Sequence, residues 1–229
     1  MDKLDVNELL RDLDEMLGGF TSAPAVSVTP HTVPKITYKT LDLIPSIPST
    51  LDLVREHYHR PMTDAEAQER LDTAMHEAAH YVAALAFRGS CTTSIHLYAP
   101  TGRGSKKPAG RTQAVCVGAE EDAFHSIAGY VWERLRDANT TRADGDFEAA
   151  ERRARGGTLS VWDLIPVAAR FIRHDAKLPI QYAAVGLICL VTKAGALDGK
   201  RLNHLSDWLR PQVPRPPEIP VPERPKWRW

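Results

Sequence analysis

The chain has 229 residues, enough for one sizeable domain with tails, and its 43% hydrophobic and 25% charged residues are those of an ordinary globular protein. Lys plus Arg is 29 and Asp plus Glu is 29, a formal net charge of zero. That balance argues against a generic nucleic-acid or membrane-surface binder, which needs a basic excess to meet phosphates. No apolar run approaches the roughly 18–20 residues that span a bilayer. The opening Met1-Asp2-Lys3-Leu4-Asp5 has no basic stretch before an apolar core, so no secretory leader is expected. Cys91, Cys116 and Cys189 form no paired spacing and predict buried free thiols in a reducing, cytoplasmic setting.

In chain order, residues 1–18 predict an amphipathic helix, with Val6, Leu9, Leu10, Leu13, Met16 and Leu17 on one face. The helix ends at Gly18-Gly19. Residues 19–62 are rich in Pro, Thr and Ser and predict an irregular linker or wrapping arm. Thr63 and Glu66 predict a capping box that opens a helix running to about Phe87, before Gly89. Two short β-like runs follow, Thr93–Tyr98 and Arg111–Val117, joined by a loop carrying Gly102, Gly104 and Gly110. Residues 121–137 return to helix, with Phe124, Ile127, Ala128, Val131 and Leu135 along one face. Another helix is predicted from near Asp144 to Gly156-Gly157. Two or three more are expected across 159–210, broken around Pro179 and Gly195–Gly199. The tail, 211–229, holds seven prolines and predicts extended chain.

His76-Glu77-Ala78-Ala79-His80 carries the chemistry. On a helix, residues four apart project from one face, so the two imidazoles can share a zinc ion. Glu77, between them, can reach water beside the ion and act as a general base for attack on a carbonyl. Ala78, Ala79, Val82, Ala83 and Ala86 are small and apolar, which suits a buried helix, and a cation would partner buried histidines. A catalytic zinc takes three protein ligands and keeps one position open. The third must be a His, Glu, Asp or Cys brought in by folding. Residue chemistry leaves that choice open: Asp144, Asp146 and Glu148 would equally complement a helix N-terminus.

Other candidates have plainer readings. His57-x-His59 beside Glu56 sits in the Pro-bounded arm and reads as solvated. His96, on a predicted strand, and His125, at a helix start, read as ordinary positions, although either can reach a cleft. Cys91 and Cys116 are possible thiol ligands. Gly102-Arg103-Gly104-Ser105-Lys106-Lys107 lacks a following helix and reads as a hairpin tip rather than a phosphate loop. Lys226-Trp227-Arg228-Trp229 joins cations and aromatics, although an unstructured end explains it.

The segment Thr141-Arg142-Ala143-Asp144-Gly145-Asp146-Phe147-Glu148-Ala149-Ala150-Glu151-Arg152-Arg153-Ala154-Arg155 resembles the stretch after the active site of FtsH-type zinc proteases. Gly129-Tyr130-Val131-Trp132-Glu133-Arg134-Leu135 resembles that family's G-R-x-A-E-E-L. His76–His80 stands in place of its H-E-A-G-H, with Ala79 at the glycine. Ala196-Leu197-Asp198-Gly199 resembles its late turn before a final helix. The motif order is kept over residues 65–210, and Arg142 and Gly145 depart from the family's Gly and Asn. The resemblance implies Asp146 as the third zinc ligand, with Glu133 and Asp144 as fallbacks and Glu133 better suited to an outer position. No GxxxxGK[ST] occurs, so ATP-driven unfolding is not expected of this chain.

The fold expected is therefore mainly α: a zincin-like, FtsH-type peptidase domain over 63–210 with a small β-hairpin or short sheet, flanked by irregular tails. The function expected is zinc-dependent peptide hydrolysis, with His76, His80 and Asp146 on Zn2+ and Glu77 as base. The substrate would be a protein or peptide, held along 93–99 or 111–117 by strand addition. A partner can dock through the N-terminal helix or the Pro-rich tail. Two alternatives stand beside it: a non-proteolytic zinc-binding regulatory protein of the same fold, and a structural domain without metal.

Overall fold

The computed structural model describes residues 39, 41–46, 51–58, 62–98, 109–137, 143–192 and 195–216. The helix expected over 1–18, much of the 19–62 arm, His59, the Gly102–Lys107 loop and the tail beyond 216 lie outside the described residues. The described chain is mainly helical, with one small antiparallel sheet, as expected from the sequence.

Its elements are α1 (Leu51–Tyr58), α2 (Asp64–Ala86), β1 (Cys91–Tyr98), β2 (Ala109–Val115), α3 (Ala119–Arg136), α4 (Asp144–Ala154), α5 (Val161–Arg170), α6 (Lys177–Leu190), β3 (Ala196–Asp198) and α7 (Gly199–Leu209). Single 3-10 segments cover Leu41–Ser46 and Arg210–Gln212, and a π turn, Phe171–Asp175, joins α5 to α6. No helix among the described residues is long and apolar enough to cross a membrane.

Helix α2 is the axis of the molecule. Thr63 caps it, its hydroxyl accepting from the Glu66 N–H while the Glu66 carboxylate accepts from the Thr63 N–H. The helix packs against α3, α6, α1 and the sheet at once. Ala74, Ala78, Ala79, Ala83 and Ala84 are all buried, and their small side chains let neighbours approach on every side. Helix α3 lies across it with Phe124, Ile127, Ala128 and Val131 buried; Leu135, on the same predicted face, is only partly covered.

In the sheet, β1 lies between β2 and β3. Ile95 faces Thr112 on one side and Leu197 on the other. A bulge between Thr92 and Ser94 lets β1 begin at Cys91, two residues before the expected start. Strand β2 is likewise displaced toward the N-terminus, running from Ala109 to Val115 rather than from Arg111 to Val117. There the Val117 N–H donates to Glu121 Oε2 at 3.2 Å, which turns the chain out of the ladder and into α3.

Three further expectations are corrected. Residues 41–46 and 51–58, inside the stretch expected to be irregular, are helical. Leu41, Ile44, Leu53 and Val54 are buried there, and Trp208 Nε1–H donates to Asp42 Oδ1 at 2.9 Å. The break expected around Pro179 falls three residues earlier, at Ala176, and Pro179 itself is the third residue of α6, where the amide it lacks would have no intrahelical acceptor. Cys91 is exposed at the start of β1, while Cys116 and Cys189 are half-buried, and all three are free. Burial pushes the Cys116 thiol up to about 11 and the Cys189 thiol up to about 12, which disfavours the thiolate form of both.

Candidate metal centre

His76 and His80 leave the same face of α2 one turn apart, and their Nε2 atoms lie 3.2 Å from each other. Asp146, in the first turn of α4, places Oδ2 at 3.1 Å from His76 Nε2 and 3.4 Å from His80 Nε2. Ligand atoms about 2.0–2.1 Å from a tetrahedral zinc are about 3.3–3.4 Å apart. The three donors therefore form a triangle of the size that one face of such a tetrahedron requires. Among the described residues, His76, His80 and Asp146 are the group able to hold a metal ion. Cys91 and Cys116 are not part of it.

Gly129 of α3 completes this cradle. A Cβ at that position would come 2.3 Å from His80 Nε2 and 2.7 Å from His76 Nε2, so any other side chain would displace the rings. The fallback carboxylates lie elsewhere. Asp144 is exposed and pairs with Arg134 Nη2 at 3.5 Å. Glu133 is buried, with Oε1 3.3 Å from His76 Nδ1, on the far side of the ring from the donor triangle. A carboxylate there orients the imidazole and raises its basicity as a ligand.

His80 is held the same way by backbone. Its Nδ1–H donates to the His125 carbonyl oxygen at 2.7 Å, which leaves the Nε2 lone pair for the cluster. Glu77 turns from the two histidines toward β2. Thr112 Oγ1–H donates to Glu77 Oε2 at 2.7 Å, and Oε1 lies 4.0 Å from His76 Nε2. Gly110 makes room for it, since a Cβ there would sit 2.3 Å from Oε1.

The electrostatics favour positive charge at the cluster. Burial alone would lower the His76 pKa, but Asp146, Glu133 and Glu77 around the ring reverse this and push it up to about 10. Burial would raise Asp146; His80 and His76 instead hold its carboxyl well below the usual carboxylate range. For His125, burial followed by repulsion from His80 outweighs the pull of Asp146 and lowers it to about 3.

The structure brings together all four residues that the sequence singled out: His76, His80 and Asp146 within one triangle, Glu77 at its rim. Of the remaining histidines, His57 is half-exposed on α1, and His96 lies in β1 opposite Arg111 and Ala196. Sequence reasoning missed the work of Gly110, Thr112, His125 and Gly129. A glycine inside a helical pattern was the available signal for Gly129, because it costs helix stability unless something needs the space. No protein-family model matches this chain, and no curated protein matches it either.

Proposed function

We propose that this protein is a zinc metallopeptidase, an ATP-independent cytoplasmic enzyme whose fold is of the zincin-like FtsH type. The observation that carries the reading is the buried Glu77 carboxylate, with Oε1 4.0 Å from His76 Nε2, at the rim of the His76, His80 and Asp146 triangle. Two imidazoles and a carboxylate are a donor set that suits zinc and leaves a position open. Zinc, when bound, supplies Lewis acidity that acidifies water and polarises a carbonyl.

Glu77 does the proton work. Thr112 occupies Oε2, so Oε1 is the oxygen free to take a proton from water attacking the scissile carbonyl. The same oxygen then returns that proton to the departing amine. Asp146 and the two histidines stay in place throughout, Glu133 and the His125 carbonyl fixing the rings. An extended peptide fits along β2: β1 is paired on both sides, whereas β2 pairs only with β1 among the described residues and passes beside Glu77.

Glu77→Gln tests this directly. The amide keeps size and leaves the three ligands intact, so the variant should retain about one zinc per chain and lose hydrolysis of unfolded protein substrates. Zinc-loaded wild type that cleaves no faster than Glu77→Gln would contradict the proposal and favour the regulatory alternative.

A further inference from the structure

Two buried histidines face each other across the contact of α2 and α3, and only His80 belongs to the donor triangle. His80 Nδ1–H donates to the His125 carbonyl oxygen at 2.7 Å, and His125 Nδ1–H donates back to the His80 carbonyl oxygen at 2.9 Å. The rings meet edge-on, with centroids 5.4 Å apart. Helix spacing makes the exchange possible. In an α-helix the carbonyl of residue i faces the N–H of residue i+4. The residue four beyond His125 is Gly129 and the one four beyond His80 is Ala84, so each carbonyl is left accessible from the side. Gly129 is the tighter case, because the His80 ring occupies the space its Cβ would fill.

A carbonyl in mid-helix is reached by a side chain from another helix only in one register. A slide of one residue, about 1.5 Å along the axis, would break both bonds together. We propose that His125 is a positioning residue for the metal centre: by clasping the His80 carbonyl it fixes α3 on α2, and so keeps its own carbonyl where it pins His80 Nδ1–H and directs Nε2 at the ion. This rests on the metal-binding part of the function above and not on peptidase activity. His125 acts through His80 alone. What it needs is one N–H at the position of Nδ1, which the amide of Asn can supply and the ring of Phe cannot.

The experiment titrates metal-free protein with Zn2+ against a competing chelator, and with Co2+ as a spectroscopic stand-in. His125→Phe should weaken Zn2+ binding about 10–100-fold, as loss of other outer partners of metal ligands does, while His125→Asn stays within about threefold of wild type. The visible Co2+ spectrum should change in His125→Phe and be restored in His125→Asn. Should His125→Phe fail to fold, nitrogen-detected NMR of zinc-loaded wild type gives the answer without a mutation: the neutral His125 ring carries its proton on Nδ1. A His125→Phe variant that loses thermal stability but keeps wild-type affinity and spectrum would overturn the proposal, as would an Nε2–H tautomer at His125. Wild type that binds neither ion would overturn the metal centre itself, a result distinct from equal binding by wild type and variant.

Discussion

Helices α2 and α4 supply the candidate ligands from contrasting surroundings. His76 and His80 stand on a helix buried along most of its length, with alanines in contact with neighbours on every side. Asp146 stands on a helix whose buried residues are Ala150 and Ala154 and whose N-cap, Ala143, makes no side-chain cap bond. Helix α4 is held to α3 by Arg153, which bonds Ser126 and pairs with Asp122 at 3.1 Å. Phe147 adds an aromatic bridge between Tyr130 and Trp162. The imidazole pair is thus set within the core, whereas the carboxylate, partly exposed, stands on a helix that buries little of its own surface and packs closely against α3.

Gly129→Ala should break this arrangement most severely on the core side. The added methyl meets the ends of the His76 and His80 rings rather than backbone, so the rings swing away and the fold survives. Alanine also favours helix over glycine by about 1 kcal/mol, which offsets part of the strain. The expected outcome is a protein with unchanged circular dichroism and near-wild-type melting that no longer binds stoichiometric zinc. Metal binding at wild-type affinity would show that the cradle is not where the ion sits.

The peripheral side is sharpened by a pair of variants. Asp146→Asn should weaken zinc binding by more than the ~10–100-fold expected for an outer partner, because it removes a charged donor from the triangle. Asp144→Asn, one turn position away but turned toward Arg134, should leave affinity within experimental error. Equal effects would return both residues to the role of helix-end charges.

The smallest effect is one of pH on metal-free protein. His76 is raised from about 6.5 to about 10, so its contribution to stability is fully present below about pH 6.5 and is lost as pH rises toward 10. Asp146 is depressed, so its contribution is present above about pH 4 and is lost only as pH falls below that. Melting temperature should therefore fall between pH 6.5 and 10, and Asp146→Asn should flatten the slope. A metal-free protein equally stable across that range would show that the carboxylate is not drawn to the imidazoles.

What the sequence made legible follows the same division. Spacing alone put His76 and His80 on one face of a capped helix, and the small residues around them announced its burial. Asp146 was open on residue chemistry, since Asp144 and Glu148 share its helix end; the chosen carboxylate depends on how α4 turns after α3, which no local pattern encodes. Residues that act only by clearance or by tertiary hydrogen bonds, Gly110, Thr112 and His125, left no spacing to read. Strand β3 escaped for another reason, being three residues long with only Leu197 buried, too short for alternation to register. The helix at 51–58 was hidden by prolines that in fact flank it, at Pro48 and Pro61.

X-ray absorption at the zinc edge of reconstituted protein tests the central claim most directly. Wild type should hold about one zinc per chain with nitrogen and oxygen neighbours at ~2.0–2.1 Å, including the outer-ring scattering of two imidazoles, and His80→Ala should lose it. Absence of stoichiometric zinc from wild type, or a sulfur neighbour at ~2.3 Å, would contradict a centre made of His76, His80 and Asp146.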